Sequence, residues 1–279
     1  GLIIGVMPAM IARRADPQRI LQAGGGHATI GGRLRQLRDL LVVLEIACAL
    51  VLIVGGASLV RELVRLRNTD IGLQPANVVT FHLLDRPAAA PIVWRGSPPD
   101  TITRPFYEIA DRVSQLPGVR AAGFTQVLPL QNWGWSANSI DFRVVGRSPL
   151  EGAPFTFDLR YVTPGYFAAI GAPIRRGRGF TAADTRDGPP AIVINETLAR
   201  RVFADADPIG QTTTRGIVVG VGGDIRNVNL NQETLPEVYY PIAQNWSQLS
   251  ELGMTLVVRT EGPPTAIVEA VRNAVRQVN

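Results

Sequence analysis

The residues best suited to chemistry in this 279-residue sequence are a glycine cluster, two close aspartates, three arginines, two tryptophans and one acid in an apolar run. Gly216, Gly220, Gly222 and Gly223 invite comparison with a dinucleotide-binding turn, where glycines let a pyrophosphate approach the backbone at a helix N-terminus. That chemistry needs G-x-G-x-x-G between a strand and a helix, with an acidic residue about twenty positions on. Gly220-Val221-Gly222-Gly223-Asp224 instead leads into IRNVNLNQ (225–232), which has no helical apolar face. A bulge or looser strand near Gly222 is the structural alternative. Asp205 and Asp207 precede Pro208 in an expected helix-ending turn, where capping outweighs a catalytic pair. Arg175, Arg176 and Arg178, set among glycines, can contact a partner or an anion, or form a solvated turn. Trp133 and Trp135 flank a glycine, and such a pair either anchors a protein interface or packs over a sheet edge.

Other chemistry is excluded by what is scarce. The single Cys48 lies in an apolar run, so one chain can build neither a disulfide nor a Cys-based metal site. His27 sits in a Gly-rich linker and His82 in an expected strand, which argues against a His-built metal or triad site. The sequence contains no Lys, and a Walker A loop requires one, so this chain does not hydrolyse ATP by that machinery. No nucleophile, base and oxyanion donor can be assembled from these residues. The expectation is a non-enzymatic chain with no cofactor and no metal.

The elements that must carry these residues begin with LLVVLEIACALVLIVGGASLV at 40–60, one charged residue in an apolar run. At about 1.5 Å per residue this helix spans roughly 31 Å, the thickness of a hydrocarbon core. Arg33, Arg35 and Arg38 precede it; Arg61, Arg65 and Arg67 follow it. Glu45 is the one ionisable group within it, a position that faces other helices, snorkels to the interface or couples motion. Gly55 and Gly56 permit close helix approach. Residues 1–12 are apolar but too short to span, and read as the end of another membrane helix; no basic segment precedes them, which argues against a signal peptide. Up to Asp70 there are nine Arg against five acidic residues, a net +4, whereas 71–279 carries nineteen against eighteen, a net +1. The excess therefore lies where anionic lipid headgroups attract it. A nearly neutral outer domain argues against nucleic acid as a partner.

Beyond residue 67 the pattern turns to short strands and amphipathic helices. Residues 78–84 alternate as a strand, and 87–99 is a Pro- and Ala-rich loop. Thr103 is expected to cap a helix with Pro105 in its first turn and Phe106, Ile109, Ala110, Val113 and Leu116 on one face. Strand 119–125 follows. Strand 254–259 and helix 265–278 repeat this plan, giving two β-α-β halves of one subdomain. Between them, candidate strands fall at 139–145, 155–162, 191–194, 216–220 and 237–240. Helices are expected at 164–170 and 196–203, the latter capped by Asn195 with Leu198, Val202 and Phe203 inward. The fold class is α+β: a transmembrane helix plus an outer domain with a strand-rich insertion. The divisions are 1–12, linker 13–39, helix 40–60, connector 61–75, a subdomain of 76–130 with 237–279, and the insertion 131–236.

Several strings, in this order, resemble one family: LVVLEIACALVLIVGGASLVRELVRLRNTDIGLQPANVVTF (41–81), FYEIADRVSQLPGVRAAGFTQVLPL (106–130), YVTPGYFAAIGAPIRRGRGFTAAD (161–184), VINETLARRVFADADPIGQ (193–211) and GIVVGVGGDIRN (216–227). They resemble permease subunits of MacB-type, FtsX-like ABC transporters, in their long, internally duplicated group. The resemblance implies a bacterial inner-membrane protein with the basic linker inside and the large domain in the periplasm. It implies a porter-like subdomain of β-α-β units carrying the inserted one. ARRADPQRILQ (12–22) resembles the linker that follows the last helix of a first permease half. Implied partners are an ABC ATPase on another chain, where ATP binds, membrane lipids, a dimeric or pseudo-dimeric permease mate, and a periplasmic adaptor or outer-membrane channel. Export, efflux or mechanotransmission to the envelope would then be driven from outside this chain. The alternative is a membrane-anchored periplasmic binding or sensor module.

Overall fold

A computed structural model describes residues 28–67, 69–83, 99–131, 135–138, 141–147, 154–227, 233–245 and 253–278. The expected helix end at 1–12, linker residues 13–27, the loop at 87–98 and Trp133 lie outside the described residues. The chain divides into two units, 1–67 and 68–279.

The first unit contains helix α1 (Ala28–Arg67). Its apolar segment is long enough to cross a membrane. At about 1.5 Å per residue its forty residues reach on the order of 60 Å, so helix continues past both ends of the apolar run. The side chains of 35–65 are exposed, the Leu, Ile and Val among them as well as the arginines. An all-round apolar surface of that kind suits lipid or other helices rather than water.

The second unit is built on one ten-stranded sheet among the described residues. Its elements are β1 (Val78–Leu83), α2 (Pro99–Ser114), β2 (Val119–Thr125), β3 (Trp135–Asn138), β4 (Thr156–Val162), α3 (Tyr166–Ile170), β5 (Ile174–Gly177), β6 (Ala191–Asn195), α4 (Glu196–Phe203), β7 (Thr212–Thr213), β8 (Gly216–Gly222), β9 (Glu237–Pro241), β10 (Met254–Thr260), a 3-10 turn (Pro264–Ile267) and α5 (Val268–Arg276). The strand order is β1-β10-β2-β4-β9-β6-β8-β5, with β3 added on β4 and β7 on β8. β4 with β9 and β6 with β8 run parallel; the other pairs run antiparallel. β1 and β2 flank β10, so β1-α2-β2 is a β-α-β unit split by the later strand.

Strand alternation feeds two cores, one on each face. Met254, Leu256 and Val258 of β10, Ile192 and Ile194 of β6, and Val238 and Tyr240 of β9 join the first core. There they meet Ile102, Phe106, Ile109 and Val113 of α2 and Val271 and Ala274 of α5. Val257, Val193 and Tyr239, one position out of phase, enter the second core with Tyr166, Phe167 and Ile170 of α3. Burial on both faces explains why β6, β9 and β10 are entirely buried rather than half-polar.

Three local expectations are corrected. Helix α2 begins at Pro99, not after Thr103, so Pro105 lies inside the helix and Thr103 is buried there. Pro99 suits a first helical position, and the apolar stripe gains Ile102 a turn earlier. Of the expected strand 139–145, residues 139–140 lie outside the described residues and 141–145 form no strand. Val144 makes a lone bridge to Thr213, because the partner β7 is two residues long. The expected helix 265–278 is split into the 3-10 turn and the shorter α5.

Candidate coupling site

Residues 69–77 connect the end of α1 to β1, and the outer domain holds them at nearly every step. The Asp70 side chain accepts a hydrogen bond from the Gly72 N–H at 2.9 Å, which turns the chain. Arg226 donates its backbone N–H to the Ile71 carbonyl at 3.1 Å and its Nε to the Asp70 carbonyl at 3.2 Å. Gln74 donates to the Ile170 carbonyl at the end of α3. Thr260 donates both its N–H and its hydroxyl to the Asn77 carbonyl, at 2.8 and 3.2 Å. Leu73 packs on the second core.

Arg259 is the centre of this clamp. It stands in β10 on the second-core face and is 8% exposed. Its Nη2 donates to the Gln74 carbonyl at 2.6 Å and its Nη1 to that of Ala76 at 3.2 Å. Its Nε reaches the Ala168 and Ala169 carbonyls, at 3.2 and 3.1 Å. One guanidinium thus ties two connector carbonyls to two at the end of α3, groups a helix cannot satisfy internally. Burial, with the Arg120 cation nearby, holds Arg259 below the usual arginine value. Gly72 has a φ of 76°, and a Cβ there would stand 1.8 Å from the Asp224 carbonyl oxygen. Only glycine lets the connector pass so close to the segment 223–227.

That segment, which follows β8, is a strap with four attachments. The Asp224 carboxylate accepts from the Thr197 N–H and hydroxyl at 2.8 Å each and from Arg200 at 2.9 Å, holding the start of α4. Ile225 is buried in the second core and Arg226 holds the connector. Asn227 donates to Glu237 Oε1, and its carbonyl accepts from the Leu130 N–H at 2.7 Å. Glu237, 1% exposed, also accepts from the Tyr239 hydroxyl at 2.6 Å and from Arg160 Nε at 3.4 Å. A polar island therefore sits inside the second core, roofed by the strap.

The glycine cluster finds its explanation beside this strap. A Cβ on Gly220 would lie 2.1 Å from the Arg178 carbonyl oxygen, so the glycine admits the chain leaving β5. The register of β8 against β6 shifts between Ile192 and Val193, leaving Val219 as the extra residue, three positions before Gly222.

The other singled-out residues are scattered. Glu45, Gly55, Gly56, Arg61 and Arg65 lie along α1, where nothing stands within 4 Å of a Cβ placed on either glycine. Trp135 begins β3, paired with Leu159. Arg175 is exposed in β5; Arg176 pairs with Asp207, which also turns the chain by accepting from the Ile209 N–H at 3.1 Å. Arg178 grips Asp184 through two hydrogen bonds of 2.7 and 2.8 Å. Burial would raise the Asp184 carboxyl, but Arg178 and the Thr181 N–H hold it below the usual carboxylate value. Among the described residues no three His, Cys, Asp or Glu side chains form a metal-binding group. Sequence reasoning missed Gly72, Arg226, Arg259, Arg160 and Glu237. The available signal was a charge in an otherwise apolar strand, as in MTLVVRT, and a glycine between Ile71 and Leu73.

Comparison with known proteins adds a family. The model of the MacB-like periplasmic core domain matches residues 40–278. Among curated proteins none matches. The solved periplasmic region of MacB from Actinobacillus actinomycetemcomitans is 16% identical, with a TM-score of 0.45 over 77% of this chain and 89% of that one. The extracellular domain of the ABC-type transporter YknZ from Gram-positive bacteria is 19% identical, with a TM-score of 0.43 over 73% and 93%.

Proposed function

The chain belongs to the family of MacB-like periplasmic core domains, and from that membership we propose that it is part of the permease subunit of an ABC transporter, anchored in a bacterial inner membrane by α1 with its large domain in the periplasm. It performs no catalysis itself. ATP binds and is hydrolysed on a separate ATPase chain, and the resulting shift of membrane helices is passed to the outer domain for export or for force transmission to the envelope.

The observation that carries this reading is the connector. Helix α1 runs unbroken to Arg67, and beyond residue 68 the nine residues 69–77 are gripped by β10, α3 and the strap. In this reading a displacement of the helix enters the sheet through the gripped residues 69–77. Glu45, Gly55 and Gly56 are proposed to face other membrane helices. Arg61 and Arg65 are proposed to meet headgroups of membrane lipids. A porter-like part (76–130 with 237–279) and an inserted part (131–236) are proposed; β1, β2 and β10 join the remaining strands through one register pair, Thr125 with Val162, and β9, at 237–241, pairs with β4 and β6 on the inserted side of that link. Trp133, Trp135 and the exposed Arg175 are proposed for contact with a permease mate, an adaptor or an outer-membrane channel.

The test is purification of the full-length protein from its native membrane in mild detergent. A stoichiometric ABC ATPase is the expected companion. Its absence from a membrane in which the ATPase is expressed would overturn the reading in favour of an anchored binding module.

A further inference from the structure

We propose that residues 70–77 staple the two halves of the outer domain's sheet across its narrowest seam, and that the seam stays tight only while they are seated. β10 pairs with β1 and β2 over nearly its whole length, and β4 pairs with β9 over Asp158–Val162. Between these halves β2 meets β4 only at Thr125 and Val162, the last residue of each strand. The rest of that edge of β4 is taken by β3, over Thr156–Leu159. Beside the pair, the Thr163 N–H donates to the Phe124 carbonyl at 3.0 Å and the Gln126 N–H to the Tyr161 carbonyl at 3.1 Å. A short ladder of this kind is where a fold opens at low cost.

The connector crosses the seam, and its two ends are held by different halves. Arg226 holds the Asp70 and Ile71 carbonyls, and Gly72 lies against Asp224. Both grips come from the strap 223–227, which follows β8 and is fixed to α4 through Asp224 and to β9 through Asn227. At the other end, Arg259 and Thr260 of β10 hold the carbonyls of Gln74, Ala76 and Asn77, and the chain then enters β1 beside them. Gln74 is the crossing point: its carbonyl accepts from Arg259, while its N–H donates to Ile170 of α3, the helix that follows β4. Leu73 packs on the second core, which sets the connector off the plane of the sheet. A tie in that position resists rotation about the Thr125–Val162 pair.

Both apolar cores also run across the seam. Apolar packing is non-directional, so it keeps the halves together without fixing the angle between them. Directional bonds set the angle, and three sets cross. α3 packs on β2 and β10, and Leu130, after β2, donates to the Asn227 carbonyl at 2.7 Å. Those two lie wholly within the domain. Of the three, the connector is the crossing that continues into α1, and so the one on which a membrane helix can act. The staple rests on the geometry of the folded domain, and its test needs neither transport nor an ATPase partner.

The experiment is amide hydrogen exchange on the full-length protein in lipid nanodiscs. Gly72→Ala places a Cβ 1.8 Å from the Asp224 carbonyl oxygen at a φ of 76°, so the connector has to lift from the strap. Protection of the Gln126 and Thr163 amides at the seam is expected to fall roughly tenfold, while amides of β6 and β10 stay within about twofold. Arg226→Ala keeps the backbone bond to Ile71 but loses the side-chain hold on Asp70. It is expected to give about a threefold fall at the same two amides. General destabilisation would instead lower β6 and β10 together with the seam. Unchanged protection of Gln126 and Thr163 in both variants, or a loss in β6 and β10 as large as theirs, would overturn the staple.

Discussion

Arg259 brings a full positive charge into a strand whose other residues on that face, Thr255 and Val257, are buried. Left unpaired, such a charge would cost several kcal/mol, more than a neighbouring aliphatic residue gains by burial. Four carbonyls offset it, two of them in the connector. Arg259→Lys keeps the charge but gives up the planar fork that reaches in two directions. It is expected to lower stability by about 2 kcal/mol, measured by urea unfolding followed through tryptophan fluorescence. An unchanged midpoint would mean that the clamp is not set by the guanidinium geometry. The charge within MTLVVRT marks the position but not what it holds, because the acceptors are backbone carbonyls at positions 74, 76, 168 and 169. Side-chain partners are no easier to read: Arg176 finds Asp207 and Arg178 finds Asp184 only once β5 is in place.

Helix α4 shows the opposite case, where local rules suffice. Asn195 precedes the apolar pattern Leu198, Val202 and Phe203, and its side chain accepts the Leu198 N–H at 2.9 Å as a cap should. The same buried amide also accepts from the Glu237 N–H at 3.0 Å and donates to the Leu235 carbonyl at 2.8 Å, ties that no local pattern encodes. Asn195→Ala is therefore expected to cost about 3 kcal/mol, above the ordinary cap loss of about 1 kcal/mol, by thermal or urea unfolding. A loss confined to the ordinary value would assign Asn195 to capping alone. Strands 119–125 and 191–194 were legible for the same reason: unbroken apolar or alternating runs between turn residues. Strand β5 was not, since Ile-Arg-Arg-Gly has neither signal and is held as an edge strand by β8. Residues 141–145 show alternation with Phe142 and Val144 inward, yet lack a partner long enough to make a strand.

At the scale of the whole molecule, the connector is the segment on which the proposed transmission depends. Gly-Gly-Ser inserted at Asn68 leaves the clamp on 69–77 in place and adds slack before it. Transport is expected to fall at least tenfold, while ATPase activity of the partner chain and the unfolding midpoint stay unchanged. Full transport by that variant would count against transmission through this segment. The division into a long apolar helix and an α+β domain was readable from hydropathy and periodicity. The order of the strands was not, because β10 enters between β1 and β2, pairing Val78 with Arg259. This placement has a consequence for how the protein is made. Until residues 254–260 have emerged, β1 and β2 have no strand between them and the edges they present stay open. Pairings that distant in sequence form slowly, so the unfinished domain must be kept from aggregating throughout synthesis, and a chain cut short before Met254 would be a substrate for quality control rather than a smaller working domain.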